Sequence, residues 1–232
     1  MSNYDNFDFN RTLPLISEDT EFFPLMSQED EEEMNNEDTP DILSILPLRN
    51  TVLFPGVVIP ITVGRDKSIK LIKDAYRGDR IIGVVSQKDV AIEDPEFEQL
   101  NQVGTVALII KMLQMPDGNT TVIIQGKQRF RLNEEVQSDP YIKASIQKFE
   151  EVRPKADKEF KALMASIKEM AMQIIQLSPN IPSEAGIAIK NIESSSFLIN
   201  FISSNMNAEV SAKQQMLEVA NLHDRAKMVL EH

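Results

Sequence analysis

The sequence predicts an α+β chain: a mostly antiparallel β unit carrying one helix, followed by an α-helical bundle. Two changes of texture predict it. From Ile42 to Phe149, short β-branched apolar runs alternate with Pro and Gly, the pattern of strands and tight turns. After Arg153-Pro154 the apolar residues switch to helical spacing. A third observation sets the start of the chain apart. Residues 1–40 hold twelve of the 36 acidic residues and only one of the 24 basic ones, Arg11, leaving residues 41–232 at a net −1 out of the total of −12.

Taken in order, residues 1–40 combine an acid run, Glu29 to Glu33, with apolar pairs such as Phe22-Phe23 and Leu25-Met26. No period of two or 3.6 runs through them, so a disordered or loosely docked arm is expected. It reads either as an acidic-hydrophobic partner motif or as a solubilising tail. Residues 41–152 form the expected β unit. Its strands are placed at Ile42–Leu48, Val57–Val63, Ile81–Val85, Val103–Met115, Thr120–Gln125, Phe130–Val136 and Tyr141–Phe149. Pro116-Asp117-Gly118-Asn119 supplies the fixed φ, local hydrogen bond and positive φ of a hairpin turn. Between strands, Ile69, Ile72 and Tyr76 share one face of a helix over Asp66–Arg77, and Gly78 stops it. Pro47, Pro55, Gly56, Pro60 and Gly118 are read as residues that set turns and strand ends.

Residues 153–232 make up the bundle. Phe160, Leu163, Met164, Ile167, Met170, Ala171, Ile174 and Ile175 define a long amphipathic helix ending near Ser178-Pro179. Shorter helices are expected from Pro182-Ser183-Glu184, over Ser196–Ser204, over Ser211–Val219 and from Asn221. The last is still in phase at His232, as expected of a fragment whose helix leads onward, although Leu230-Glu231-His232 also fits the start of a vector tag.

Composition excludes several classes of function. Without Cys, and with only His223 and His232, thiolate zinc sites and Cys nucleophiles are impossible and a His-based metal cluster is not expected. A near-neutral body lacks the surplus of Lys and Arg that binds nucleic acid. No stretch approaches the roughly 20 apolar residues of a membrane span, and the acidic N-terminus lacks signal or transit features; a cytoplasmic protein is expected. No glycine belongs to a phosphate-binding loop, since Gly126-Lys127-Gln128 lacks both the preceding glycine and the following hydroxyl. His223 has only the adjacent Asp224, which points about a third of a turn away on a helix and is unable to orient the ring.

Three stretches remain as candidates. In Lys127-Gln128-Arg129-Phe130-Arg131, bases flank an aromatic as in single-strand binders, but strand alternation accounts for it as Lys127, Arg129 and Arg131 on a wet face with Gln128, Phe130 and Leu132 inward. Arg65, Asp66, Lys67 and Lys70 open the first helix, either as a stabilised start through an Asp66/Lys70 pair or as a polar rim for a protein partner. Met112, Leu113 and Met115 lead into the hairpin, as sheet core or as an apolar patch for unfolded polypeptide.

Five blocks give a resemblance. They are Leu46-Pro47-Leu48-Arg49-Asn50-Thr51-Val52-Leu53-Phe54-Pro55-Gly56 with Ile59-Pro60; Val63-Gly64-Arg65-Asp66-Lys67-Ser68; Val103-Gly104-Thr105-Val106-Ala107; Met115-Pro116-Asp117-Gly118; and Gly126-Lys127-Gln128-Arg129. In this order they resemble the N-terminal domain of Lon proteases, with residues 1–40 outside the resemblance. It implies a PUA-like, β-barrel-like subdomain and a helical bundle whose last helix leads to an ATPase module. It also implies the non-catalytic substrate-recognition and assembly region of a hexameric, ATP-dependent serine protease that degrades misfolded and regulatory proteins. Partners would be unfolded or degron-bearing proteins and further copies of the chain, with neither nucleic acid nor membrane. No cofactor is expected here; ATP and Mg²⁺ would belong to the absent ATPase module, and the family's Ser-Lys dyad has no counterpart. Cereblon shares the fold type, but its Trp cage and Cys-bound zinc have no residues to match here. The alternative is a stand-alone PUA-like adaptor or RNA-binding protein.

Overall fold

The computed structural model describes residues 27–114, 120–154, 158–177 and 184–232. The hairpin turn at 116–119, with Met115 and Gly118, lies outside them. Among the described residues there are six strands: β1 (Ile42–Leu48), β2 (Val58–Val63), β3 (Ile81–Ser86), β4 (Val103–Gln114), β5 (Thr120–Gln137) and β6 (Lys143–Lys148). They run in the order β2-β5-β4-β3-β1-β6, and β6 returns to pair with β5. Five strands therefore close into a barrel, with β2 as an outer strand on β5. Only β1 and β3 are parallel.

Closure depends on the length of β5. Its first six residues pair with β2, and the stretch from Phe130 to Gln137 pairs with β6 through two register shifts. The sequence divides this strand in two around 126–129, whereas the structure runs straight through. Gly126 is a crossing point, not a break. The Gly126 amide donates to Val57 O and its carbonyl accepts from the Gly56 amide, each at 2.9 Å. A Cβ at this position would lie 2.2 Å from Phe54 O, so only glycine lets the 54–57 loop pass. Gly56 turns that loop with φ 78°. Pro60 is tolerated because β2 pairs on one side only.

Inside the barrel, Phe130 is fully buried among Leu43, Ile45, Val85, Leu100, Val106, Leu132, Ile142 and Ala144. Gly83 and Gly104 make room for its ring: a Cβ on either would stand 3.0 or 2.8 Å from Phe130 Cζ. A second, larger core is continuous from the barrel into the helices, joining Phe54, Leu71, Ile72, Val103 and Ile124 to Phe160, Phe197, Leu198, Met216 and Ala226.

Seven helices are described: α1 (Gln28–Asn36), α2 (Asp66–Arg77), α3 (Lys158–Leu177), α4 (Glu184–Asn191), α5 (Ser195–Asn205), α6 (Val210–Glu218) and α7 (Leu222–Glu231). Helix α2 occupies the span its sequence predicts, with Leu71 and Ile72 buried. In the helical half, Ser194 caps α5 by accepting from the Phe197 amide, and Asn221 caps α7 by accepting from the His223 and Asp224 amides. Val152 stitches the halves together, donating to Ala220 O at 2.9 Å and accepting from the Leu222 amide at 3.0 Å.

Of the arm, expected to be disordered or loosely docked, residues 27–40 are described, and they carry helix α1 docked on the body. Ser27 and Asp30 form a capping box, and Met34 enters the main core at 5% exposure. Tertiary anchoring has overridden a composition that by itself favours disorder. Among the described residues no helix is long and apolar enough to cross a membrane.

Candidate functional site

Where barrel, arm and bundle meet, five charged side chains converge. Arg129 lies on β5, Glu151 and Arg153 on the linker to α3, Arg225 on α7, and Glu31 on α1. Glu151 Oε2 accepts from Arg225 Nη1 at 2.9 Å, Ser196 Oγ at 3.1 Å and Arg129 Nη2 at 3.4 Å. Arg225 also donates to Asn200 Oδ1, and Asn200 Nδ2 donates to Pro55 O at 3.1 Å. Arg129 Nη1 reaches the carbonyls of Leu217 and Val219, each at 2.8 Å. Its guanidinium lies 4.7 Å from the centre of the Phe149 ring.

This overturns the expectation that Arg129 lines a wet face. The bundle covers that side of β5, and the end of α6 presents its orphan carbonyls to the guanidinium. Burial, aided by the neighbouring Arg225 charge, pushes Arg129 down to about 9, while Glu151 opposes the shift. Arg225 is likewise lowered, by burial first, with Glu151 opposing. Lys127 is tied to Glu37 Oε1 at 3.1 Å, and Arg131 lies over Phe149 at 5.2 Å. The basic–aromatic stretch is thus largely occupied with internal contacts.

The network holds the two halves in register; it is not set up for chemistry, since each charge faces a counter-charge or a carbonyl. His223 Nε2 lies 3.6 Å from Glu159 Oε1 and the ring stands edge-on to Phe160, a packing role. Among the described residues no group of three or more acidic or imidazole side chains is placed to hold a metal.

The rim residues sit at the entry to α2. Arg65 Nη2 donates to Gln87 Oε1 at 2.8 Å, and Gln87 in turn holds the carbonyls of Asp89 and Ile92. Lys67 Nζ pairs with Asp94 Oδ2 at 2.6 Å, and this hydrogen bond raises its pKa. Arg65 and Lys67 therefore fasten the 87–94 loop to the helix start. Asp66 and Lys70 are exposed beside them. Val63 pairs with Thr120, which pairs with Gln114, so the hairpin root lies at the sheet end from which α2 departs. Met112 packs against the core and Leu113 is half-buried.

Elsewhere, apolar side chains of α3 and α4 are open to solvent. On α3, Phe160, Met164 and Ile167 are buried, but Met170, Ile174 and Leu177 are 47, 57 and 84% exposed, and Ile187 on α4 is 63% exposed. The α3 stripe, in sequence one continuous apolar face of an amphipathic helix, outruns the elements that cover it. Leu177 and Ile187 carried no distinguishing local signal.

Residues 42–232 match the family described as the ATP-dependent protease La (LON) substrate-binding domain. The chain belongs to this family. A Lon protease of Flavobacterium johnsoniae is 58% identical over 224 residues, covering 96% of this chain and 27% of that protein. One from Cytophaga hutchinsonii is 50% identical over 218 residues, covering 94% and 27%. The chain thus spans about a quarter of the length of these Lon proteases. The family match begins at Ile42 and leaves residues 1–40 outside it, as the resemblance has it, while the alignment with the Flavobacterium protein extends into the arm. The solved N-terminal domain of the Mycobacterium avium complex Lon protease superposes with a TM-score of 0.68 at 20% identity, covering 82% of this chain and 96% of that one. That from Xanthomonas campestris gives 0.59 at 17%, covering 82% and 97%. At those identities the likeness concerns the fold, and the fold is that of Lon N-terminal domains.

Proposed function

We propose that this chain is the non-catalytic substrate-recognition region of a cytoplasmic, hexameric, ATP-dependent Lon serine protease, and that it engages exposed apolar segments of unfolded or degron-bearing proteins. Hydrolysis, ATP and Mg²⁺ belong to modules beyond this region. The observation that carries the reading is the open apolar stripe of Met170, Ile174 and Leu177 on α3, with Ile187 exposed on α4, in a chain of the substrate-binding family. Such a shallow patch holds one segment weakly, and six copies around a ring add avidity. The α2 rim and Leu113 at the hairpin root are a second polypeptide contact in this reading. Photo-crosslinking to a model protein in folded and unfolded form tests it. Preferential capture of the unfolded form is expected, weakened by Ile174→Asp/Leu177→Asp; equal capture of both forms would sink it.

A further inference from the structure

The acidic arm supplies an occupant for a groove that the rest of the chain builds. Helix α1 is anchored at two side chains three residues apart. Glu31 accepts from Arg153 Nη2 at 2.5 Å and from Ser194 Oγ, and Met34 enters the core. Glu29, Asp30, Glu32, Glu33 and Asn36 are exposed. Beyond these, Lys127 pairs with the Glu37 carboxylate at 3.1 Å, and the remaining grip is on main chain at the C-terminal end of α1. Gln128 Nε2 donates to Met34 O and Glu37 O, both at 2.8 Å, and Lys148 Nζ donates to Asn35 O at 2.7 Å. These are the carbonyls that any helix leaves unpaired, at the end where its dipole favours cations.

Such a groove reads little sequence. It asks for a helical end, an acid, and an apolar residue three positions later. Detached, its present occupant would not persist as a helix. Nine residues fall short of the roughly 12–15 at which an isolated helix persists in water, and no basic residue of its own complements its last turn. A cleft of about 320 Å³ stays open beside it, lined by Met34, Phe149, Phe197 and Asn200 among others.

We infer that α1 is a displaceable internal ligand, and that the groove under it takes acidic amphipathic helical segments of protein substrates. This rests on the substrate-recognition reading above. Undocking α1 would open the site; its tethering to the same chain sets a high local concentration that a substrate must outcompete.

The test uses the full 232-residue chain and a fluorescein-labelled peptide of residues 27–40. Glu31→Ala/Met34→Ala, which alters the arm and leaves the body intact, is expected to bind the peptide at least tenfold more tightly than the unaltered chain. Adding Arg153→Glu should abolish that gain, and a peptide carrying Glu31→Lys should restore it. Equal binding to both forms, no binding to the opened form, or indifference to Arg153→Glu overturns the proposal. In parallel, an unfolded acidic protein, reduced and carboxymethylated lactalbumin, is crosslinked to the opened chain, and the peptide is expected to compete. Crosslinking that survives saturating peptide overturns the groove and leaves the substrate reading standing. Absence of crosslinking to either form overturns the substrate reading, and the groove proposal with it.

Discussion

Removing the carboxylate of Glu151 tests whether the junction depends on its ion network. Glu151→Ala strips the shared counter-charge from Arg225 and Arg129, whose side chains are 1% and 3% exposed. At an effective dielectric near 20, a pair at the 2.9 Å of Arg225 to Glu151 attracts by about 6 kcal/mol before desolvation is counted. Most of that is offset by the cost of burying both charges, and the measurable quantity is the cost of leaving a buried guanidinium alone, about 3–5 kcal/mol. Urea unfolding should show a loss of this size at unchanged m-value. Arg225→Met alone should also destabilise, because it leaves Glu151 and Asn200 short of a donor. The double variant should be more stable than the two single losses imply, by about 2 kcal/mol of coupling. Should Glu151→Ala prove too unstable to purify, Glu151→Gln keeps the shape and removes the charge, and the same cycle applies. A loss below about 1 kcal/mol for Glu151→Ala, or strict additivity with Arg225→Met, would refute the reasoning.

The remaining predictions concern packing and the open surface. Gly126→Ala places a Cβ 2.2 Å from the main-chain oxygen of Phe54, which no rotamer relieves; a loss of at least about 3 kcal/mol is expected in the same urea assay, at the upper end of overpacking costs. Phe130→Ala empties the barrel's centre and should cost about 3–5 kcal/mol, read as a drop in the urea midpoint. Ile174→Asp/Leu177→Asp should shift stability by no more than about 0.5 kcal/mol per site while lowering crosslinking to unfolded protein. A large fall in its thermal midpoint would show instead that the stripe is packed.

Local rules account for what was legible in the sequence. Helix α2 could be placed because its apolar period and its stop at Gly78 lie within a dozen residues; the stop expected near Ser178-Pro179 lies outside the described residues. Four of the five family blocks sit on described strands, turns and the start of α2, whose chemistry is equally local; Met115-Pro116-Asp117-Gly118 lies outside the described residues. What escaped depends on partners far along the chain: Arg153 meets Glu31 across 122 positions, Arg129 meets the α6 carbonyls across 88, and Arg225 meets Glu151 across 74. Alternation gave the correct facing for Phe130 and Leu132 but placed Arg129 in water, because period two reports which side of a strand a residue occupies and is silent on what covers that side. The apolar stripe of α3 shows the opposite case. Its periodicity runs past the point where the bundle covers it, so the pattern is the same for Ile167 inside and Ile174 outside. The arm unites both lessons. Its composition describes a solvated tail, yet one acid and one methionine at helical spacing suffice to dock it once Gln128, Lys148 and Arg153 are brought to the same edge by the fold. A charge block read in isolation counts its own repulsions; whether it binds depends on how many of its charges, and how many of its main-chain carbonyls, the rest of the chain is built to receive.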